Sequence, residues 1–533
     1  MAKGYRLLTQ RGFLAAAILF AVGAVLRGIP EILAGRYPVG YDTTAYYAPI
    51  IVHLEHQRVT DLVRSAPLLY LLAWTALRST GLDVFLLLKI LGVTMYAFVA
   101  LTFFCFLRRS VGLPLKESFL TSLLCILQIP TLRLSWDLFR NELGIILLLA
   151  SFIALDSPRK RVQNLFVVFS VLVVLAHPLV ALLMFCAVTY TKLSRKSDKI
   201  GICSTAPSIL LFAVWFVTNL VRYPTNGRII PTDAYVGTTA FIQLSADPRL
   251  SSSIADISLS IVALFLFCFF PILVPAIVGF ERRLRFDSIV GPMLGGISIG
   301  FFPYLPMSGT YWRWLVLLVF PFSFYALNGL RKLGILRQRK KLLLIYLAFS
   351  GLALGYACGG LAVKTTVEYS ERVWPSSQIR YLAGIVGAHM PASLLQSSIG
   401  QGKVQDQIDD CIRCLEWVNL NAENGSILIV EERFRGWAIL YLEERVGVVL
   451  IPDGYPMTNI SVQLDCPPKY MISYKHFHLN DYVTVYEGDF FAIFRLEDAC
   501  DLVRISSDGT DRSCNLLDQE QGSRFVKLSS DRM

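Results

Sequence analysis

Long apolar runs alternate with short clusters of basic residues through about the first 360 residues of the chain. A helix that crosses a bilayer needs about 20 mostly apolar residues, and runs near that length recur here. They predict spanning helices at 12–34, 84–107, 116–134, 142–156, 163–176, 178–191, 201–221, 256–280, 287–305, 312–330 and 342–363. The pattern therefore predicts an α-helical polytopic membrane domain with about eleven spans.

Two apolar stretches allow more than one interpretation. The stretch 163–191 is interrupted at His177-Pro178, so it forms either a hairpin of two short helices or one kinked span. The run PLLYLLAWTAL at 67–77 is too short to cross a bilayer comfortably, and it predicts an interfacial or re-entrant helix.

The basic clusters predict the sidedness of these spans. Loops on the cytoplasmic side of a membrane are enriched in Lys and Arg. The clusters lie within 3–11, 108–109, 159–161, 192–199, 282–285 and 331–341, which all fall on one side of the predicted spans. This pattern predicts a multi-pass protein of the cell membrane with a cytoplasmic N-terminus. Because the span number is odd, the C-terminal region is expected on the extracytoplasmic side.

Charged residues are scattered after about residue 364, as they are in an ordinary globular domain. We therefore predict a transmembrane domain at 1–363 and a soluble mixed α/β domain at 364–533. Apolar periodicity predicts a helix at 404–421, and β-rich runs predict strands at 426–430, 446–451, 470–473, 482–486 and 490–495. The last thirty residues are rich in Ser and Asp, which predicts a poorly ordered end.

Overall composition agrees with a membrane protein, since 54% of the residues are hydrophobic and only 17% are charged. Soluble domains contain about 25% charged residues. The net charge of +11 is explained by the clusters between spans, so it does not indicate a nucleic-acid partner. Cys411 and Cys414 form one CxxC pair without a second, which argues against a zinc site.

Ionisable residues at the ends of predicted spans are the candidates for chemistry, because such groups are costly near lipid unless they have a partner or a function. The predicted topology places six of them on the extracytoplasmic side: Asp42, Asp137, Arg140, Glu142, His177 and Arg313. Capping or a buried hydrogen bond is the simplest interpretation of His177, which precedes a proline.

Asp42 lies in the segment PVGYDTTAYY at 38–47, which is rich in hydroxyl groups and aromatic rings. A carboxylate here is suited to accept the proton of an acceptor hydroxyl or to hold a cation. It is equally suited to cap a helix that begins near Thr43, and the two roles are compatible. Tyr46 and Tyr47 offer hydroxyls and ring faces for a sugar or an acceptor, and His177 is a third candidate for such a contact.

Two further segments each permit a functional and a structural interpretation. The segment WDLFRNE at 136–142 carries two acids and an arginine, which suit either a site or an ion pair between helices. Arg313 stands between Trp312 and Trp314 in the sequence. A guanidinium group there suits bidentate phosphate binding, while an arginine flanked by tryptophans also suits an anchor at the membrane interface.

Taken together, these features resemble the GT-C superfamily of polytopic glycosyltransferases. The resemblance rests on Asp42 in a long first outer loop, on Asp137 and Glu142 in the next one, and on the late helix YWRW at 311–314. The C-terminal stretches SILIV at 426–430 and FRGWA at 434–438 are similar to those of archaeal members.

The resemblance implies transfer of a sugar from a polyprenyl-phosphate donor to a protein, glycan or lipid acceptor on the extracytoplasmic face. It implies Asp42 as the base and Arg313 and Arg140 as contacts of the donor phosphate. Asp137 and Glu142 would orient groups or hold a divalent cation. The first loop has a lone acid and the WWDYG motif is missing, so metal dependence and transfer to asparagine stay open.

Two other classes of function compete with this one. A transporter or lipid flippase would place ionisable groups near the middle of spans and often shows internal repeats. The sequence shows no internal repeat, and its ionisable residues lie at the outer ends of the predicted spans. A non-catalytic protein of GT-C architecture, with a binding or scaffolding role, stays open because the first loop has only one acid.

Overall fold

A computed structural model describes most of the chain, with several gaps. The described residues are 10–40, 42–56, 65–195, 202–220, 254–302, 310–337, 339–358, 404–431, 434–451, 470–475 and 482–496. The predicted domain boundary at 363/364 and the end predicted to be poorly ordered lie outside them. The described residues within 10–40 and 65–358 form one compact unit, and those within 42–56 and 404–496 form a second.

Helices make up almost all of the first unit, which we call the membrane unit. They are Gln10–Leu33 (α1), Leu68–Thr80 (α3), Val84–Phe106 (α4), Leu115–Ile126 (α5), Ile129–Asp137 (α6), Phe139–Leu155 (α7), Lys160–Ala176 (α8), Pro178–Arg195 (α9), Ile202–Leu220 (α10), Ile254–Val278 (α11), Leu284–Ile299 (α12), Tyr311–Leu317 (α13), Val319–Lys332 (α14) and Arg339–Ala357 (α15). The short helix Ala48–Val52 (α2) belongs to the second unit.

Five helical stretches among the described residues are long and apolar enough to cross a bilayer: Gln10–Leu33, Val84–Val111, Ile261–Val278, Tyr311–Lys332 and Lys340–Ala357. Helices α5 and α6 meet at a bend of 63° and form either a sixth, broken span or a re-entrant loop. The chain is therefore a multi-pass membrane protein. Helices such as α7 and α8 have 17 residues, fewer than the ~20 of a full span, so the count of about eleven stays a prediction.

The two ambiguous apolar stretches both contain helices. The stretch 163–191 is divided into α8 and α9 at His177, whose backbone is extended (φ −161°, ψ 126°). Pro178 explains the break, because a proline disfavours helical geometry in the residue before it. The run at 67–77 lies in α3, whose 13 residues end at Gly81 in the left-handed region (φ 65°). Its interfacial position stays a prediction.

Glycine lets two helices of the membrane unit approach with their backbones in contact. A Cβ atom added to Gly329 in α14 would lie 1.8 Å from the carbonyl oxygen of Pro275 in α11. Such close approach at small residues is a common way for membrane helices to pack, since lipid provides little hydrophobic drive between them. This contact holds α14, which directly follows the helix that carries Arg313.

The second unit, which we call the C-terminal unit, contains a five-stranded sheet and helices Val404–Asn421 (α16) and Arg435–Tyr441 (α17). The strands are Ile427–Glu431 (β1), Gly447–Ile451 (β2), Tyr470–Tyr474 (β3), Tyr482–Glu487 (β4) and Phe491–Leu496 (β5), in the order β2-β1-β3-β5-β4. β1 is parallel to β2 and β3, while β5 is antiparallel to β3 and β4. Each strand begins within one residue of its predicted start.

Parallel pairing of β1 and β2 requires a crossover, and α17 lies on that connection. The three central residues of β1, Leu428–Val430, are at most 1% exposed, as expected of a strand in the middle of a sheet. Helix α16 places Ile408, Leu415 and Val418 in the core. Apolar periodicity therefore accounts for both the strand and the helix.

Asp410 of α16 ties this helix to the turn between β4 and β5. Its carboxylate accepts hydrogen bonds from the backbone N–H groups of Asp489 (3.0 Å), Phe490 (2.7 Å) and Phe491 (3.0 Å). It also accepts one from Arg413 at 2.9 Å. Burial raises the pKa of Asp410, but these hydrogen bonds outweigh burial and hold its pKa below the usual value. The charged form is therefore part of the fold.

We expect Asp410→Asn to destabilise the C-terminal unit by about 2–3 kcal/mol at pH 7, because a neutral amide replaces a charged acceptor of several hydrogen bonds. A lowered pKa means that the charged form stabilises the fold fully above the unfolded pKa of about 4, and that this stabilisation is lost as the pH falls below it. The difference between wild type and variant in hydrogen exchange of α16 should therefore shrink from pH 7 to pH 3.

The matched control is Asp489→Asn, whose side chain is 75% exposed and also pairs with Arg413. Exposed ion pairs contribute little, so this variant should behave as wild type at both pH values. If Asp410→Asn and wild type differed as much in hydrogen exchange of α16 at pH 3 as at pH 7, the stabilising role of the charged carboxylate would be contradicted.

Candidate functional site

A buried ion pair within α1 begins the polar cluster of the membrane unit. Arg27 is 0% exposed, and its Nη1 lies 2.7 Å from Oε1 of Glu31, one helical turn further on. Nε of Arg27 donates to the carbonyl oxygen of Ser135 at 3.2 Å, and the backbone N–H of Val39 donates to Oε2 of Glu31 at 3.1 Å. Neither residue was predicted, although an Arg and a Glu four apart in an apolar run are a recognisable signal.

The predicted second outer loop at 133–142 is helical rather than a loop. Helix α6 ends at Asp137, and α7 begins at Phe139, so only Leu138 departs from helical geometry (φ −99°, ψ 41°). Arg140 and Glu142 therefore stand in the first turn of α7, where both are buried. The side chain of Asp137 lies outside the described part of the structure, so its predicted role stays a prediction.

Glu142 is the most deeply buried acid of the cluster. Its side chain is 0% exposed, and neither carboxylate oxygen has a hydrogen-bond partner among the described residues. Arg27 interacts with it electrostatically. Desolvation of an acid without hydrogen bonds is costly, so such a group needs a compensating charge, a proton or a ligand. Glu142 is thus a candidate site residue on physical grounds as well as by its position in the sequence.

Arg140 and Arg313 act on a common buried group, His177. The guanidinium groups of Arg140 and Arg313 both interact electrostatically with His177, which is 3% exposed at the break between α8 and α9. The guanidinium carbon of Arg140 lies 5.6 Å from the ring centroid of Tyr70 in α3. Two like charges held near one imidazole generate a positive potential that suits an anionic group.

Tryptophan rings extend this positive cluster. Trp312 lies close to two arginines, because the guanidinium carbons of Arg133 and Arg313 are 5.0 Å and 5.4 Å from its ring centroid. Arg133 also lies 4.7 Å from the ring of Trp136. Trp314, the other sequence neighbour of Arg313, packs instead against Gly296 of α12. We call Arg133, Arg140, His177, Trp312 and Arg313 the arginine cluster; sequence analysis missed Arg133.

Asp42 belongs to the C-terminal unit rather than to the membrane unit. It precedes a π-helical turn at Thr43–Tyr47 that continues into α2, and its side chain makes no capping hydrogen bond to this turn. The hydrogen bond expected if Asp42 capped this helix is therefore not formed. Tyr46 and Tyr47 are 8% and 3% exposed. Their predicted contact with a sugar or an acceptor stays a prediction.

Gly40 anchors the chain just before Asp42. Its φ of +110° is a conformation that side chains with a Cβ rarely adopt. An added Cβ would also lie 2.2 Å from the carbonyl oxygen of Trp136.

Within the described residues, no three His, Cys, Asp or Glu side chains are grouped as a metal site requires.

The apolar helices and the arginine cluster belong to a polytopic membrane protein. The structure is similar to that of ArnT from Cupriavidus metallidurans bound to undecaprenyl phosphate, with a TM-score of 0.54, 13% identity, and coverage of 91% of this chain and 98% of that one. ArnT in the apo state gives a TM-score of 0.52, 14% identity, and coverage of 90% and 97%. The predicted GT-C architecture is confirmed.

A lower TM-score of 0.44 relates the chain to the oligosaccharyltransferase of Archaeoglobus fulgidus, with 11% identity and coverage of 86% of this chain and 69% of that one. A TM-score in this range does not bear on the fold. The sequence matches no protein-family model and no curated protein. The likeness is therefore one of fold, and the activity has to be argued from the residues of this chain.

Proposed function

We propose that this protein is a membrane glycosyltransferase that moves a sugar from a polyprenyl-phosphate donor to an acceptor on the extracytoplasmic face. The observation that carries the proposal is the arginine cluster on a GT-C fold. Arg140 is 2% exposed and Arg133 is 4% exposed, so water screens their charges little. Arginines in such surroundings bind a phosphate oxygen pair strongly.

The proposed reaction assigns one role to each charged group. The acceptor hydroxyl attacks the anomeric carbon, and its proton passes to the carboxylate of Asp42. The bond from the anomeric carbon to the phosphate oxygen breaks, and the electron pair leaves with the polyprenyl phosphate. Arg313 and Arg140 stabilise the charge that develops on this phosphate. Glu142 or Asp137 orients groups at the site.

The placement of the C-terminal unit outside the cytoplasm is part of this proposal. It rests on the basic clusters of the sequence, which fall on one side of the predicted spans. A donor held by its lipid tail would then meet an acceptor that arrives from the aqueous side. The acceptor class, whether protein, glycan or lipid, is open.

The experiment that tests the function is turnover of radiolabelled undecaprenyl-phosphate-linked hexoses by the full-length protein in proteoliposomes. Release of the sugar from its lipid, to water or to added glycan and peptide acceptors, is the expected result. Movement of the donor across the bilayer without cleavage would instead indicate a flippase. Donor binding without cleavage or movement would indicate a non-catalytic protein.

Replacing Arg140 or Arg313 by Gln is expected to weaken binding of undecaprenyl phosphate about 10- to 100-fold. Each substitution removes one charge-assisted contact, and a hydrogen bond to a charged group contributes about 1.5–3 kcal/mol. Affinity would be measured by titrating the lipid phosphate into protein in nanodiscs, with thermal stability as a check on folding.

Arg331→Gln is the matched control, because Arg331 is 66% exposed and pairs with Glu117 away from the arginine cluster. It should leave the affinity for undecaprenyl phosphate unchanged. Wild-type affinity in both Arg140→Gln and Arg313→Gln would rule out the phosphate-binding role of the cluster.

A further inference from the structure

Residues 42–56 come early in the chain, yet they pack as part of the C-terminal unit. The π-helical turn after Asp42 and helix α2 both contact α17, the crossover helix between β1 and β2. The sequence places more than 370 residues between these segments. The segment that carries the proposed base is therefore held by residues of the C-terminal sheet domain.

Gly436 of α17 makes the closest of these contacts. A Cβ atom at this position would lie 2.1 Å from the carbonyl oxygen of Thr44 and 2.6 Å from Cα of Ala45. The neighbouring atoms belong to backbone, so they cannot move aside as the end of a flexible side chain would. Any residue other than glycine must push the segment at 42–56 and α17 apart. The contact lies two residues from Asp42.

Arg435 makes the second contact with this segment. Its side chain is 6% exposed, and its guanidinium carbon lies 5.1 Å from the ring centroid of Tyr46. A desolvated cation over an aromatic ring is attracted by the negative face of that ring. The contact of Arg435 with Tyr46 restrains the π-helical turn through side chains, and the contact of Gly436 with Thr44 restrains it through the backbone.

Helix α17 is itself fixed within the C-terminal unit. Trp437 is 1% exposed, and Nδ2 of Asn419 in α16 donates to the carbonyl oxygen of Tyr441 at 2.7 Å. The backbone N–H of Glu443 donates in turn to Oδ1 of Asn419 at 2.9 Å. A helix with a buried tryptophan and with hydrogen bonds at its C-terminal end is a firm support for the segment that packs on it.

We infer that the C-terminal unit positions Asp42, and that Gly436 and Arg435 are the positioning residues. This inference rests on the proposed function, in which Asp42 is the base. It gives the C-terminal unit a role in the proposed reaction, because this unit holds the turn that follows Asp42. A displacement of about 1 Å in such a group lowers turnover by about 100-fold.

The test compares two glycine substitutions in the same unit of the full-length protein. Gly436→Ala places a Cβ against the backbone of Thr44, whereas Gly447→Ala in β2 meets only ordinary contacts, the nearest being Cγ1 of Ile427 at 3.4 Å. We expect Gly436→Ala to lower kcat for donor turnover about 100-fold and to raise hydrogen exchange of residues 42–56. Gly447→Ala should change neither quantity.

Two further readouts distinguish positioning from general unfolding. Exchange of β1 and β3 should stay slow in Gly436→Ala, and affinity for undecaprenyl phosphate should stay within about threefold of wild type. Arg435→Lys, which keeps the cation over Tyr46, should retain more turnover than Arg435→Gln. If Arg435 only stabilised the fold, both substitutions would lower turnover equally.

Wild-type turnover and exchange in Gly436→Ala would overturn the inference, and so would exchange that rises throughout the sheet. Failure of the proposed function gives a different result, namely no donor turnover by the wild-type protein. In that case, faster exchange confined to residues 42–56 in Gly436→Ala would still support the docking of this segment on α17.

Discussion

Asp42→Asn is expected to lower donor turnover about 100- to 10,000-fold while the protein stays folded. An amide cannot accept the proton of the acceptor hydroxyl, and general base catalysis contributes about 100- to 10,000-fold. The size and hydrogen-bonding shape of the side chain are kept, so packing of the π-helical turn at Thr43–Tyr47 should not change. The measurement is release of labelled sugar from undecaprenyl phosphate in proteoliposomes.

The control for this variant is Glu55→Gln, a loss of negative charge at an exposed residue of the same segment. It should turn over donor as wild type does. Affinity for undecaprenyl phosphate should be kept in both variants, because the proposed phosphate contacts are arginines of the membrane unit. Full turnover by Asp42→Asn would remove Asp42 from the mechanism and leave the base to be found elsewhere.

Loss of Arg27 is expected to have the largest effect on stability. Arg27→Gln removes the partner of Glu31 and the charge that acts on Glu142, and both acids stay buried. Breaking a buried pair in this way costs about 3–5 kcal/mol, since an uncompensated charge remains. We expect a variant that unfolds well below the wild-type temperature, measured by thermal unfolding in nanodiscs.

An exposed ion pair of the same chemistry gives the comparison. Arg331 and Glu117 approach to 3.0 Å, but Arg331 is 66% exposed, so Arg331→Gln should cost less than about 1 kcal/mol. The double variant Arg27→Gln with Glu31→Gln should recover part of the loss, because it removes one of the buried acids. If Arg27→Gln alone were as stable as Arg331→Gln, the buried acids Glu31 and Glu142 would not depend on the charge of Arg27.

Local patterns predicted the elements of this protein well. Apolar runs of about twenty residues identified α1 and α4, since a bilayer demands that length and composition. Alternating and β-branched residues located β1 to β5, and the periodicity of 404–421 gave α16 with both of its ends. Each of these features depends on neighbours in the sequence, so the sequence alone contains the information.

The candidate site was predictable only in part. Arg140, Glu142 and Arg313 were singled out because ionisable groups near lipid are costly. The outer loop predicted at 133–142 proved helical, because apolar positions on both sides of Leu138 continue the helical pattern through a single break. Arg133 was missed, since the sequence around a single arginine does not show which tryptophans will pack against it in the fold.

Apolar runs and the spacing of charges therefore determined a multi-pass chain and most of its charged candidates, and the GT-C architecture was an expectation from the resemblance to that superfamily. Tertiary structure alone decided which of them meet: Arg133 with Trp312, Arg140 and Arg313 with His177, and Arg27 with Glu142. It also decided that residues 42–56 belong with the C-terminal sheet. The physical reason is that these contacts join residues far apart in the chain, and packing of whole helices sets them rather than any local preference.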